Sequence, residues 1–127
     1  EGFEWLSHNV HLHSLNVVAK ELDWTAARYG NATDEPTAQA SEHALIDDDV
    51  FDFVFGSDLI YNAVGSRCMP RVVRHFLERG QGSFFLYAHT FHRYDLLDQE
   101  FLEELENQGL TVVEIDVETL HTKQLDE

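Results

Sequence analysis

The stretch Val50-Phe51-Asp52-Phe53-Val54-Phe55-Gly56 is nearly continuous apolar sequence. A strand covered by helices on both faces reads this way, because neither side of its pleat meets water. It predicts a central strand of a parallel sheet. Downstream, Met69, Val72, Val73, Phe76 and Leu77 recur at helical spacing. Ser66 is expected to N-cap that helix, with Pro70 in its first turn and Gly80 just past its end. Ser83 to Ala88 (SFFLYA) reads as a second buried strand. The next helix begins at Asp95 or Asp98, carries Leu97, Phe101 and Leu105 four apart, and stops at Gly109. Thr111 to Val117 then alternates, as a half-buried strand does.

Upstream of the apolar stretch the pattern is weaker. Residues 3–13 predict a short helix, with Phe3, Leu6 and Val10 on one side. Leu15 to Leu22 predicts a strand ended by Asp23. Residues 25–49 hold Gly30-Asn31, Pro36 and Asp47-Asp48-Asp49 with no apolar period, and are expected to form a long, flexible acidic loop. The order helix, strand, loop, strand, helix, strand, helix, strand argues for one domain over residues 1–127. Its class is α/β, with a doubly wound, mostly parallel sheet.

Composition bounds the partners. The chain has 127 residues, 43% of them hydrophobic, enough for one core. Against 8 Lys and Arg stand 24 Asp and Glu, a net charge of −16. Such a field disfavours nucleic acid and anionic membranes, and attracts a cationic partner such as a Lys-rich protein. The plainer role of that charge is solubility. The lone cysteine, Cys68, forms no internal disulfide, which fits a reducing compartment. No apolar run reaches the ~20 residues that span a bilayer, and no signal peptide opens the chain. A cytoplasmic location is expected, and a nuclear one fits equally. Glu1 stands where a methionine would, so an upstream segment is expected to have been removed.

In open α/β sheets, ligands sit beyond the carboxyl ends of the strands. Two such ends carry polar and aromatic residues: Leu22-Asp23-Trp24, and Gly56-Ser57-Asp58-Leu59-Ile60-Tyr61. Each residue has a plainer reading. Asp58 could cap the turn, Tyr61 could be a half-buried aromatic, Trp24 could be core, and Arg93 an exposed charge before a helix. His8, His11 and His13 lack a full ligand spacing and read as surface residues, so no metal is expected. Asp47-Asp48-Asp49 lacks the glycine and terminal glutamate of a calcium loop.

Taken in order, these stretches resemble the family-16 seven-β-strand S-adenosylmethionine-dependent methyltransferases, which include many protein-lysine methyltransferases. The resemblance runs through Leu6-Ser7-His8-Asn9-Val10, Leu22-Asp23-Trp24 and Phe51-Asp52-Phe53-Val54-Phe55-Gly56-Ser57-Asp58-Leu59-Ile60-Tyr61. It continues in Tyr87-Ala88-His89-Thr90-Phe91-His92-Arg93. Its most specific part is the Asp58-x-x-Tyr61 signature after an apolar strand. The resemblance implies a Rossmann-like fold and S-adenosyl-L-methionine as cofactor. Asp23 and Trp24 would flank the adenine, while Ser57 and Asp58 would lie beside the methionine part. Asp58 and Tyr61 would shape the transfer pocket, with Tyr61, His89 and Arg93 at the substrate channel. The implied acceptor is an exposed lysine of a protein.

These residue types suit that chemistry. A lysine nucleophile stays partly cationic through attack, and carboxylates and aromatic faces stabilise it, with cation–π contributions of ~0.5–2 kcal/mol. Two elements of the family are missing from the 127 residues. These are the glycine-rich turn after the first strand and the acidic residue that holds the ribose. The sole Gly-x-Gly, Gly80-Gln81-Gly82, precedes a strand, the wrong context. The expectation is a carboxyl-terminal part of the fold, lacking the first two strands and the last one. Its unpaired strand edges would favour self-association, and alone it would bind the cofactor weakly. The alternatives are a small-molecule N-methyltransferase of the same fold and a non-catalytic protein-binding module.

Overall fold

The computed structural model describes residues 2–30, 50–78, 80, 83–90 and 94–116. Helix α1 (Gly2–Leu12) is followed by a 3-10 turn at Ala27–Tyr29. Then come strand β1 (Phe53–Ser57), helix α2 (Ala63–Leu77), strand β2 (Phe84–Ala88) and helix α3 (Asp95–Asn107). The described residues thus form a small α/β unit with three helices and a two-stranded parallel sheet. In its register Phe53 faces Phe84 and Ser57 faces Ala88. None of the described helices is long and apolar enough to cross a membrane.

Helix α2 organises the core because its apolar residues spread over two stripes. Met69 and Val73 meet Ile60, Phe101 and Leu105 in one cluster. Val72 and Phe76 meet Ala26 and Tyr29 in the other, against Phe51 and Val54. Trp24 packs against both clusters. Helix α3 lies on the same side, held by Phe101 and Leu105. It ends at Gly109, whose φ of 71° is the left-handed conformation that glycine adopts without penalty.

Several expectations change. Asn62, not Ser66, caps α2: its backbone is extended and its Oδ1 accepts from the Gly65 N–H at 2.9 Å. Ser66 lies inside the helix, fully buried, with its hydroxyl bonded to the Ala63 carbonyl and to Glu100. Pro70 therefore sits in the helix interior rather than in the first turn. There a proline removes one ladder bond, at a cost of roughly 3 kcal/mol, and here its ring is fully buried.

The strands expected at residues 15–22 and 111–117 do not form among the described residues. Glu21 makes a single bridge, while Val18 and Val113 stand 80% and 77% exposed. β-Branched side chains favour extended backbone, but a strand also needs a neighbour to take its N–H and C=O groups. Among the described residues neither segment has one along its length. Residues 31–49, most of the expected acidic loop, lie outside the described residues, as do Val117 and Arg93.

The expectation of helices on both faces of β1 is also corrected. Val54 and Gly56 face inward, whereas Phe53 and Phe55 are exposed. In β2, Phe85 and Tyr87 face inward and Phe84 and Leu86 outward. Crossovers that wind in one direction place their helices on one face. Helix α2 is the crossover between β1 and β2, and α3 packs beside it on the same face.

Candidate functional site

The carboxyl ends of β1 and β2 lie side by side, and the turn from Ser57 to Asn62 crosses them. It is tied down at successive residues. The Asp58 N–H donates to the Ala88 carbonyl at 3.1 Å. The Leu59 N–H donates to the Tyr87 hydroxyl at 2.7 Å. Ile60 is buried in the core, and Asn62 starts α2. Gly65 allows the turn to fold back on the helix, since a Cβ there would meet the Leu59 carbonyl oxygen at 2.8 Å. With the backbone pinned, Ser57, Asp58 and Tyr61 remain exposed on the turn.

Asp58 has φ +49°, in the left-handed region. For a residue with a Cβ this conformation costs about 1–2 kcal/mol, and such strain gathers at functional positions. Its carboxylate makes no hydrogen bond or ion pair among the described residues. Asp58 therefore does not serve as a side-chain cap for its own turn. Its charge is felt beneath: burial first, then Asp58 and Asp98, push the Tyr87 phenol up, against the bonds from Leu59 and Ile60.

Asp23 and Trp24 precede the 3-10 turn at Ala27–Tyr29. Burial pushes the Cys68 thiol up, opposed by Arg71 and reinforced by Asp23. Trp24 and Leu59 pack on the one cluster built around Ile60. The Asp23 Oδ1 accepts from the Thr25 N–H at 2.9 Å and the Thr25 hydroxyl at 2.7 Å. Its Oδ2 carries no bond among the described residues. Trp24 is half-buried and joins both clusters, so packing engages part of its surface.

His89 is enclosed rather than open. Its side chain is 8% exposed, and its Nε2 stands 2.8 Å from Asp98 Oδ1. The ring stacks on Tyr87 at 5.4 Å, and Tyr87 stacks on Phe85 at the same distance. This ladder stiffens the floor under Asp58. Arg93 lies outside the described residues. Sequence reasoning missed Tyr87, Asn62 and Asp98. A polar cap residue ahead of a helical period was the available signal for Asn62. Tyr87 and Asp98 gave none, because their partners are 28 and 9 residues away.

Among the described residues no three His, Cys, Asp or Glu side chains gather to hold a metal. No protein-family model, curated protein or solved structure matches the chain.

Proposed function

We propose that this chain forms the acceptor side of an S-adenosylmethionine-dependent methyltransferase, with a protein lysine as substrate. One observation carries the reading: Asp58 is held in a strained conformation, its carboxylate without a partner among the described residues, at the carboxyl ends of two parallel strands. The residues present fit that cofactor in part. Asp23 Oδ2 suits an exocyclic amine, and Ser57 and Asp58 suit an ammonium. The cofactor, when bound, supplies a methyl group on an electrophilic sulfonium.

The chain's own residues would then position and discriminate. Asp58 attracts and orients the lysine ammonium. Tyr61, 62% exposed, offers a ring face to the amine as it loses its proton to water. The pinned backbone beneath keeps both from relaxing, so alignment costs little at the moment of transfer. The net charge of −16 draws Lys-rich protein surfaces toward the site.

The test is transfer of labelled methyl from S-adenosylmethionine to cell-extract proteins by the protein carrying this chain. Label recovered as methyl-lysine, cut about 100-fold or more by Asp58→Ala and reduced by Tyr61→Phe, is the expected result. Transfer unaffected by both substitutions defeats the assignment of roles. Label confined to small molecules points to the small-molecule enzyme. Loss of both transfer and cofactor binding in the wild type points to a binding module.

A further inference from the structure

Phe85, Tyr87 and His89 stand two residues apart along β2 and the residue that follows it, so their rings share one face. They stack. The Tyr87 ring lies 5.4 Å from Phe85 and 5.4 Å from His89, with interplanar angles of 19° and 22°. Phe101 of α3 meets it at 5.5 Å and 62°. On β1, Gly56 leaves room beside it, since a Cβ there would stand 3.5 Å from the ring and 2.9 Å from Leu59 Cδ1. His89 is held in turn, its Nε2 2.8 Å from Asp98 Oδ1. Close packing on these sides fixes where the Tyr87 hydroxyl can reach.

It reaches the turn after β1. The Tyr87 oxygen accepts from the Leu59 N–H at 2.7 Å, and the Ile60 N–H draws on the same oxygen. These two residues separate Asp58 from Tyr61. Phenylalanine would fill the same space and lose both bonds, so packing accounts for the ring but not for the hydroxyl. Water can satisfy a turn N–H at the surface, but it leaves the turn free to move. A side chain brought from 28 residues away does not.

We propose that Tyr87 is a positioning residue of the transfer site, its hydroxyl holding the Asp58–Tyr61 turn where it aligns the methyl acceptor. The inference rests on the methyltransferase reading and adds a division of labour to it. Asp58 attracts the acceptor through charge, which acts on binding. Tyr87 lies beneath the turn and acts through it, on alignment alone. A misplacement of about 1 Å costs up to ~100-fold in rate and leaves binding of the acceptor largely intact.

The experiment compares Tyr87→Phe with wild type in the full protein, by methyl transfer and by amide hydrogen exchange. The kcat is expected to fall about 10-fold or more, with KM for the acceptor within about twofold. The Leu59 amide is expected to exchange faster while the amides of α2 keep their protection. Leu105→Ala weakens the same core toward the other end of α3, and is expected to leave kcat per folded molecule unchanged. Transfer by the wild type that Y87F leaves unchanged overturns the role of Tyr87 alone. So does a rise in KM without a fall in kcat, an equal loss of kcat in L105A, or an unchanged Leu59 amide. Loss of protection throughout α2 in Y87F makes the hydroxyl bond merely structural, and overturns the role as well. Absence of transfer by the wild type overturns the methyltransferase reading itself, and this role falls with it.

Discussion

The two faces of the β1–β2 pair are both apolar, yet only one is packed. Inward lie Val54, Phe85 and Tyr87, under α2 and α3, with Phe101 at 3% exposure beyond them. Outward lie Phe53, Phe55, Phe84 and Leu86, with Phe55 74% exposed and Phe53 stacked on Phe84 at 5.9 Å. Side chains of the same chemistry thus contribute very differently. Burial against partners, not hydrophobicity itself, sets what an aromatic ring adds to stability.

The largest effect separates the faces directly. Phe101→Ala is expected to cost about 3–5 kcal/mol through lost burial and the cavity left behind. Phe55→Ala on the open face is expected to fall within about 0.5 kcal/mol, as surface substitutions do. Denaturant midpoints of the two variants check this. Equal losses would mean that the outward face is also packed in solution.

A smaller effect concerns the turn that the packed face supports. Asp58→Gly relieves the left-handed strain but adds chain entropy to the unfolded state. The net expectation is a gain of up to about 1 kcal/mol in thermal or chemical unfolding, together with loss of the proposed transfer. A loss of stability would show that the Asp58 side chain makes a structural contact, and would remove the strain argument.

The third effect tests the ion pairs that join α2 to α3 on the packed side. Burial alone would raise the Glu104 carboxyl. Bonds from Arg71, Gln108 and Asn107, with the Arg71 charge, outweigh it and hold the group below its ordinary 4.5. For Glu100, bonds from Ser66 and then Arg67 act in the same direction. A carboxyl lowered on folding stabilises the native state above its unfolded value. That contribution is lost as the pH falls through the lower, folded one. Stability is therefore expected to drop below about pH 4.5, with Glu104→Gln showing a shallower drop. An identical acid profile for the variant would show that Glu104 is not the group responsible.

The regular elements were legible where pattern and partner coincide. SFFLYA and the Phe53–Ser57 stretch became strands, and the Met69–Phe76 period became a helix. Residues 15–22 and 111–116 carried the β-branched signal but form no strand ladder among the described residues. Asp58 and Tyr61 were legible as candidates because they follow an apolar strand. The contacts that hold their turn, from Tyr87 and Ala88, were not. Cross-strand partners are set by register, and register depends on which strands meet.

By itself the sequence determined an α/β chain with a strongly acidic field, two buried-type strands and an acidic-aromatic turn after the first of them. Those follow from local spacing and from charge, which need no long-range information. Only the tertiary structure decided which sheet face is covered, that Asn62 rather than Ser66 opens α2, and that the Tyr87 hydroxyl holds the turn after β1. Each of those depends on residues distant in sequence meeting in space, and a uniformly apolar strand carries no mark of which side its helices take.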